Sequence, residues 1–97
     1  MTVRFIELAE SELDRAIERY RAQARGLGDV FLTEVLEAVR RIERFPEAWH
    51  PLGNGIRRCR LRRFPYALIY VVKAGDVIIL AVAHVHRRPD YWRERIG

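Results

Sequence analysis

The stretch that decides the fold is residues 56–92, IRRCRLRRFPYALIYVVKAGDVIILAVAHVHRRPDYW. It opens with five arginines in seven residues and continues with two apolar runs, residues 66–73 and 77–85. The link between the runs is short enough for a β-hairpin. Because each run is apolar on both of its faces, the pair predicts central strands of a sheet that is covered on one side and partly on the other.

Just before these runs, arginines alternate with apolar residues. Successive side chains of a strand point to opposite faces, so Cys59 and Leu61 should share the face that packs on the core. The other face is predicted to carry three arginines, Arg58, Arg60 and Arg62. Guanidinium groups bind phosphates and carboxylates bidentately, so we expect these side chains, together with Arg88, to bind a nucleic acid or a target protein. A solvated strand face without a ligand is the simpler alternative.

The amino-terminal part predicts a short strand and a first helix. Residues 2–8 alternate polar and apolar positions, which is typical of a strand. Ser11 and Asp14 resemble a capping box, so we expect the helix to begin at Ser11 or one to two residues earlier. Gly26 and Gly28 are predicted to form the turn that ends it, because glycine accepts the left-handed conformation found there.

A second amphipathic helix is predicted to follow. Asp29 is its expected N-cap, and the Phe-Pro pair at residues 45–46 stops it. Glu34 is placed on its water-facing side. Residues 47–55 contain two glycines and Pro51, and they predict a turn-rich connector.

The predicted order of elements is therefore β-α-α-β-β-β. This order indicates an α+β fold, in which a twisted antiparallel sheet carries a two-helix hairpin packed on one face. The chain has 97 residues without repeats or linkers, so residues 1–97 should form a single domain. Pro89 breaks the last strand, and residues 90–97 are expected to form a tail or a short helix.

The net charge of +5 comes entirely from the second part of the chain. Up to Ile56, eight arginines stand against ten acidic residues, whereas nine arginines and one lysine stand against three acids thereafter. Such a basic field favours an anionic partner, such as RNA, DNA or an acidic protein, or it serves solubility alone. No apolar run is long enough to cross a bilayer and no secretory signal is recognised, so we expect a cytoplasmic protein that is not associated with a membrane.

Few residues suggest a cofactor, a metal ion or a nucleophile. Cys59 is the single cysteine, and its place on the core face favours a buried structural thiol. We expect His84 and His86 to point to opposite faces of a strand, which disfavours a shared metal ion. The chain has no glycine-rich phosphate loop and no paired-carboxylate motif. We therefore predict neither a cofactor nor a metal site.

The end of the last strand is the candidate working end of the protein. Histidine exchanges protons near neutral pH, and arginine stabilises an anionic phosphate or partner. His86 and Arg87 are expected to be the exposed pair, whereas His84 should be half-buried and brace the sheet. Residues 90–92, Asp-Tyr-Trp, could equally form an apolar latch that packs the tail onto the sheet.

A set of short motifs, in order along the chain, resembles the RelE/ParE toxin superfamily. The motifs are Leu13-x-x-Ala16, Phe31, Pro46, Ile56-Arg57-Arg58, Arg63-Phe64-Pro65-Tyr66 with Tyr70, Ala81-Val82-Ala83-His84, Arg87 and Tyr91-Trp92. The resemblance covers nearly the whole chain and is closer to the ParE-like members. It implies a growth-inhibiting toxin of a type II toxin–antitoxin module, of the kind associated with plasmid stabilisation. A cognate antitoxin protein would wrap the toxin and cover its basic surface.

The resemblance leaves two targets open. ParE-like members inhibit DNA gyrase by binding, which is the first hypothesis. RelE-like members cleave mRNA on the ribosome, and in that case Arg87 would stabilise the transition state while His86 or Tyr91 transfers protons. The central-strand arginine of RelE-like members falls on Ala67 in this sequence. A third alternative is an inert member that binds only its antitoxin and DNA.

Overall fold

The chain forms two helices and a five-stranded sheet, and the computed structural model describes residues 1–96. The elements are β1 (Val3–Phe5), α1 (Glu7–Gln23), α2 (Leu27–Arg44), β2 (His50–Gly53), β3 (Ile56–Arg60), β4 (Tyr66–Lys73) and β5 (Asp76–His84). A single 3-10 turn follows at Arg93–Arg95, and Gly97, the last residue of the predicted tail, lies outside the described residues. The predicted α+β class is confirmed.

The strands lie in the order β1-β5-β4-β3-β2. The three pairings among β2, β3, β4 and β5 are antiparallel, and β4 and β5 form the hairpin predicted from the short link between the two apolar runs. β1 instead runs parallel to β5, with Phe5 opposite Ile79. The sheet is therefore antiparallel except at one edge.

Apolar side chains cover both faces of this sheet. The helices pack on one face and form the main core, which includes Phe31, Val35, Ile42, Leu68, Tyr70 and Ile79. A second, smaller cluster lies on the outer face and includes Ile56, Ile69, Leu80, Ala81, Ala83 and Trp92. The register between β4 and β5 shifts next to Ile69, and this irregularity places the neighbours Leu80 and Ala81 in the same outer cluster. The outer face is thus the face opposite α1 and α2.

The first helix begins earlier than its sequence signals predict. It starts at Glu7, so the proposed capping box of Ser11 and Asp14 is wrong, and both residues lie inside the helix. The N-cap is Ile6, which uses no side-chain cap and donates its backbone N–H to the carbonyl of Ile79 at 3.1 Å. The short strand β1 therefore runs directly into α1, and this pairing with β5 sets the start of the helix.

The second helix also begins before its predicted cap. It starts at Leu27, and the residue in the left-handed conformation is Gly26, at φ 78°. Gly28 and Asp29, which we expected in the turn and at the N-cap, both lie in the first helical turn. A Cβ atom added to Gly28 would lie 2.9 Å from the backbone oxygen of Ile17. Glycine is therefore required at position 28 by the close approach of the two helices, not by the turn.

A Gly28→Ala substitution should destabilise the protein by about 1–3 kcal/mol, because the added methyl group forces the helices apart. The direction of this change is informative, because replacing glycine by alanine inside a helix ordinarily makes a protein more stable. Thermal unfolding would measure the change, with Thr33→Ala as a control at an exposed position of the same helix. A variant at least as stable as the wild type would show that the helices separate without cost.

The strand β2 is absent from the sequence prediction, which assigned residues 47–55 to a connector. His50 lies opposite Arg58, and the register shifts between Pro51 and Gly53. Proline and glycine are typical of turns, but an edge strand tolerates a missing N–H on its free side. The pairing with β3, which sequence alone does not show, overrides the turn signal.

The burial of Glu34 also departs from the sequence prediction. It was placed on the water-facing side of α2, yet only 2% of it is exposed. Its carboxylate accepts hydrogen bonds from the backbone N–H of Arg63 at 2.5 Å and from Nε of Arg63 at 2.9 Å. Burial alone would raise the pKa of Glu34, but these hydrogen bonds and the charge of Arg63 hold the pKa below its ordinary value. Glu34 thus fixes the loop between β3 and β4 to the helix.

Candidate functional site

A cavity of about 330 Å³ opens on the outer face of the sheet, away from the helices. Its floor is formed by Ala67, Ile69 and Ala83, and residues 89–92 form one wall. Four arginines surround it: Arg58, Arg60, Arg87 and Arg88. We refer to it below as the arginine cavity.

Strand register explains why space exists at this point. Arg60 lies opposite Ala67, and Ala67 lies opposite Ala83, so two small side chains sit side by side on neighbouring strands. Two residues further along the same strands, Arg58 of β3 lies opposite Ile69 of β4. The arginines of β3 therefore border a floor of small side chains, and their guanidinium groups can reach a ligand bound there.

Arg58 carries a polar atom that lacks a partner. The residue is half-buried, and its Nε atom is buried without a hydrogen bond to any of residues 1–96. A buried donor without an acceptor costs about 1–3 kcal/mol. A carboxylate or phosphate in the cavity would supply the missing acceptor.

Arg62 does not lie on this face, although the alternation predicts it there. β3 ends at Arg60, and the chain then turns toward the helices. The positive charge of Arg62 acts on the thiol of Cys59, and the next residue, Arg63, donates its backbone N–H to Glu34 of α2, on the helix side of the sheet. Two of the three strand arginines therefore meet in the cavity, and the turn after β5 supplies the other cations.

The cations from that turn are Arg87 and Arg88, both exposed. The guanidinium carbon of Arg87 lies 3.9 Å from the centre of the Tyr91 ring, a cation–π contact that restrains it. Asp90, the acid of the cavity, forms an ion pair with Nε of Arg93 at 3.3 Å. Within residues 1–96 none of the four cavity arginines has an acidic partner. The cavity is thus strongly positive.

The segment after the turn packs back on the sheet, as the latch alternative for residues 90–92 anticipates. Trp92 is 4% exposed and belongs to the outer apolar cluster. The Tyr91 hydroxyl donates a hydrogen bond to Glu12 at 2.7 Å. Burial and Glu12 together raise the pKa of Tyr91 well above its ordinary value. The hydroxyl therefore stays protonated near neutral pH and acts as a structural donor.

Glu12 is the centre of a buried network that sequence reasoning missed. Its carboxylate accepts hydrogen bonds from the Arg95 guanidinium at 2.8 and 3.1 Å, and from the backbone N–H of Val82 at 3.1 Å. Arg95 also donates to the carbonyl of Leu80 at 3.0 Å. The sequence contains one signal of this network: the acid Glu12 lies at helical spacing between the apolar residues Ala9 and Ala16, on the face that packs on the sheet.

The two histidines come together instead of pointing apart. β5 ends at His84, and the His86 ring lies 5.3 Å from the His84 ring. The expectation of opposite faces is wrong, because residues two apart along a strand share a face. Nδ1 of His84 accepts the backbone N–H of His86 at 3.0 Å. Burial, followed by the charges of His86 and Arg19, lowers the pKa of His84. His84 is half-buried and packs edge-on against Tyr66, as predicted for a residue that braces the sheet.

Cys59 is 1% exposed and faces the main core, which confirms its predicted place. Burial raises the pKa of its thiol, although Arg41 acts in the opposite direction. A neutral buried thiol is a poor nucleophile. Among the described residues, no group of three or more His, Cys, Asp or Glu side chains is placed to hold a metal ion.

The fold and the arginine cavity define a small α+β protein with a cationic cavity on the outer face of its sheet. A family model described as the ParE toxin of the type II toxin–antitoxin system parDE matches residues 3–89. The chain therefore belongs to the ParE toxin family, and it is the toxin component of a type II toxin–antitoxin module. Such a module supplies its toxin with an antitoxin as partner.

A solved structure with the same fold is described as the chromosomal ParDE TA system from P. aeruginosa. The match has a TM-score of 0.62 at 19% sequence identity, and it covers 87% of this chain and 95% of the other. The comparison with curated proteins found no match. None of the helices within residues 1–96 combines the length and apolar character needed to cross a membrane.

Proposed function

We propose that this toxin inhibits DNA gyrase by binding it, without cutting a nucleic acid. Membership of the ParE family supports this target, because ParE-like members of the superfamily act on gyrase. The observation that carries the proposal is the alanine at position 67. The RelE-like nucleases place an arginine there, whereas Ala67 leaves an open floor in the arginine cavity.

The other candidate catalytic groups also favour binding over catalysis. The Tyr91 hydroxyl is held by Glu12 and stays protonated, so it does not serve as a general base. Nδ1 of His84 is occupied by the backbone of His86. His86 and Arg87 remain exposed, whereas a general acid or base must be positioned within hydrogen-bond reach of the proton that it transfers.

The arginine cavity suits recognition of an acidic protein surface. Arg58, Arg60, Arg87 and Arg88 present guanidinium forks around an apolar floor. Such forks bind carboxylates bidentately, and an apolar centre ringed by polar groups is typical of binding sites. In this proposal the four arginines contact gyrase in the cytoplasm, and Arg62 lies outside the contact.

Two activities should be measured with the same purified toxin. We expect the toxin to inhibit DNA supercoiling by gyrase in vitro at concentrations at which mRNA on translating ribosomes stays intact. The comparison separates the targets because each assay contains only one of them. Induced cells should lose DNA supercoiling and show an SOS response before protein synthesis falls.

Cleavage of ribosome-bound mRNA with normal supercoiling would refute the proposal and favour the nuclease alternative. In that event Arg87→Ala should abolish cleavage, because the arginine would stabilise the transition state. A toxin that is inactive in both assays and does not slow growth would be an inert member of the family. Heat-denatured toxin serves as the control for non-specific effects of a basic protein.

A further inference from the structure

A second cleft, of about 270 Å³, lies between α1 and the end of β5. It contains Arg15 and Arg19 from the helix and His84, His86 and Arg87 from the strand end, with Tyr66, Ala16, Val82 and Glu12 between them. The arginines of α1 are one helical turn apart, so both reach the same opening. We call this opening the helix-side cleft.

The cations of the helix-side cleft are not neutralised from within. Arg15 forms no ion pair or side-chain hydrogen bond with any of residues 1–96. Arg19 donates only to the hydroxyl of Tyr66, at 3.3 Å. The acid in the wall, Glu12, is already paired with Arg95 at 2.8 Å. The cleft therefore offers several uncompensated guanidinium groups to an anion.

The size and the lining residues of the helix-side cleft indicate which kind of anion fits into it. Pockets for drug-sized ligands start at about 300 Å³, so this cleft suits a single side chain or a comparable group. Ala16 and Val82 give it an apolar wall beside the charged rim. A glutamate or aspartate has this character, with an apolar stem and a charged head. A phosphate dianion has no apolar stem and would gain nothing from the apolar wall.

We propose that the helix-side cleft holds an acidic side chain of the antitoxin. Family membership gives this toxin an antitoxin as partner, and an acidic side chain of that partner would complement the cationic surface of the cleft. The proposal does not depend on whether gyrase is the target. A carboxylate in the cleft would accept hydrogen bonds from Arg15, Arg19 and the Tyr66 hydroxyl.

The position of the cleft also couples antitoxin binding to the arginine cavity. His84 and Arg87 line both openings. A carboxylate bound to Arg87 from the helix side would draw its guanidinium away from the ring of Tyr91, where it now lies at 3.9 Å. The antitoxin would thereby remove one of the four cations of the arginine cavity without having to fill that cavity.

The test uses the protein encoded immediately upstream of the toxin gene, taken as the antitoxin, and titration calorimetry with the full-length toxin. Arg15→Glu should weaken the complex at least about 30-fold, because it places like charges in contact. Arg40→Glu, the same charge change at an exposed position of α2 outside both openings, should change the affinity less than about threefold. Equal melting temperatures for the three toxins would exclude a folding defect.

A charge exchange then identifies the occupant. Each acidic residue of the antitoxin is replaced by arginine, and one replacement should restore binding to the Arg15→Glu toxin while weakening binding to the wild type. Unchanged affinity for Arg15→Glu, or no binding between wild-type toxin and this partner, would overturn the proposal. So would binding of a single-stranded oligonucleotide that depends on Arg15 while antitoxin binding does not, since the occupant would then be a nucleic acid.

Discussion

Glu12→Ala is expected to lower the free energy of unfolding by about 3–5 kcal/mol, since it removes one partner of a buried ion pair. The guanidinium of Arg95, whose side chain is only 13% exposed, would lose its acidic partner. The Val82 N–H and the Tyr91 hydroxyl would lose their acceptor as well. Thermal unfolding should show a melting temperature more than about 10 °C below that of the wild type.

Two further variants make this result specific to the network. Asp14→Ala removes an exposed acid from the same helix and should change stability by less than about 0.5 kcal/mol. The double variant Glu12→Leu/Arg95→Met leaves no buried charge, so it should be less destabilised than the sum of its single variants. Additive losses in the double variant, or a normal melting temperature for Glu12→Ala, would show that the network does not hold the tail.

Arg58→Ala/Arg60→Ala is expected to raise the toxin concentration needed for half-inhibition of gyrase supercoiling at least about 100-fold. The two guanidinium groups border the floor of the arginine cavity, and a hydrogen bond to a charged group contributes about 1.5–3 kcal/mol. The fold should tolerate the change, because Nε of Arg58 has no partner to lose. Equal melting temperatures would confirm that the loss concerns binding.

Arg62→Ala is the matched control for that variant. The strand pattern groups Arg62 with Arg58 and Arg60, whereas the structure places it beyond the end of β3, on the helix side of the sheet. We expect its effect on gyrase inhibition to stay below about threefold. A loss as large as that of the double variant would show that the target contacts both sides of the sheet.

The central hairpin and the helix pair could be predicted from sequence because their signals are local and repeated. The apolar runs that form β4 and β5 lie within one residue of their predicted bounds. The start of α1 and the strand β2 could not be found in this way. Both depend on pairing with a distant strand, which outweighs the local signals of Ser11 and Pro51.

The site was predictable in composition but not in arrangement. Arg58, Arg60, Arg87 and Arg88 were all selected from the sequence, yet the pattern gave no reason to expect them around one cavity. Their convergence depends on the chain folding back after β5. That return is fixed by Glu12 and Arg95, which lie 83 residues apart in sequence. Contacts between residues so far apart produce no periodic pattern in the sequence. The cavity and the network could therefore be recognised only in the structure.

The Glu12–Arg95 pair has one more consequence, which concerns the exposed edge of the sheet. β1 pairs with β5 only as far as Ile79, so the following residues of β5 are paired with β4 but have no strand on the β1 side. Such an edge invites pairing with another molecule and leads to aggregation. The pair occupies the Leu80 carbonyl and the Val82 N–H with side chains. Two charged side chains thereby cap this part of the edge and leave fewer backbone groups free to pair with a strand of another molecule.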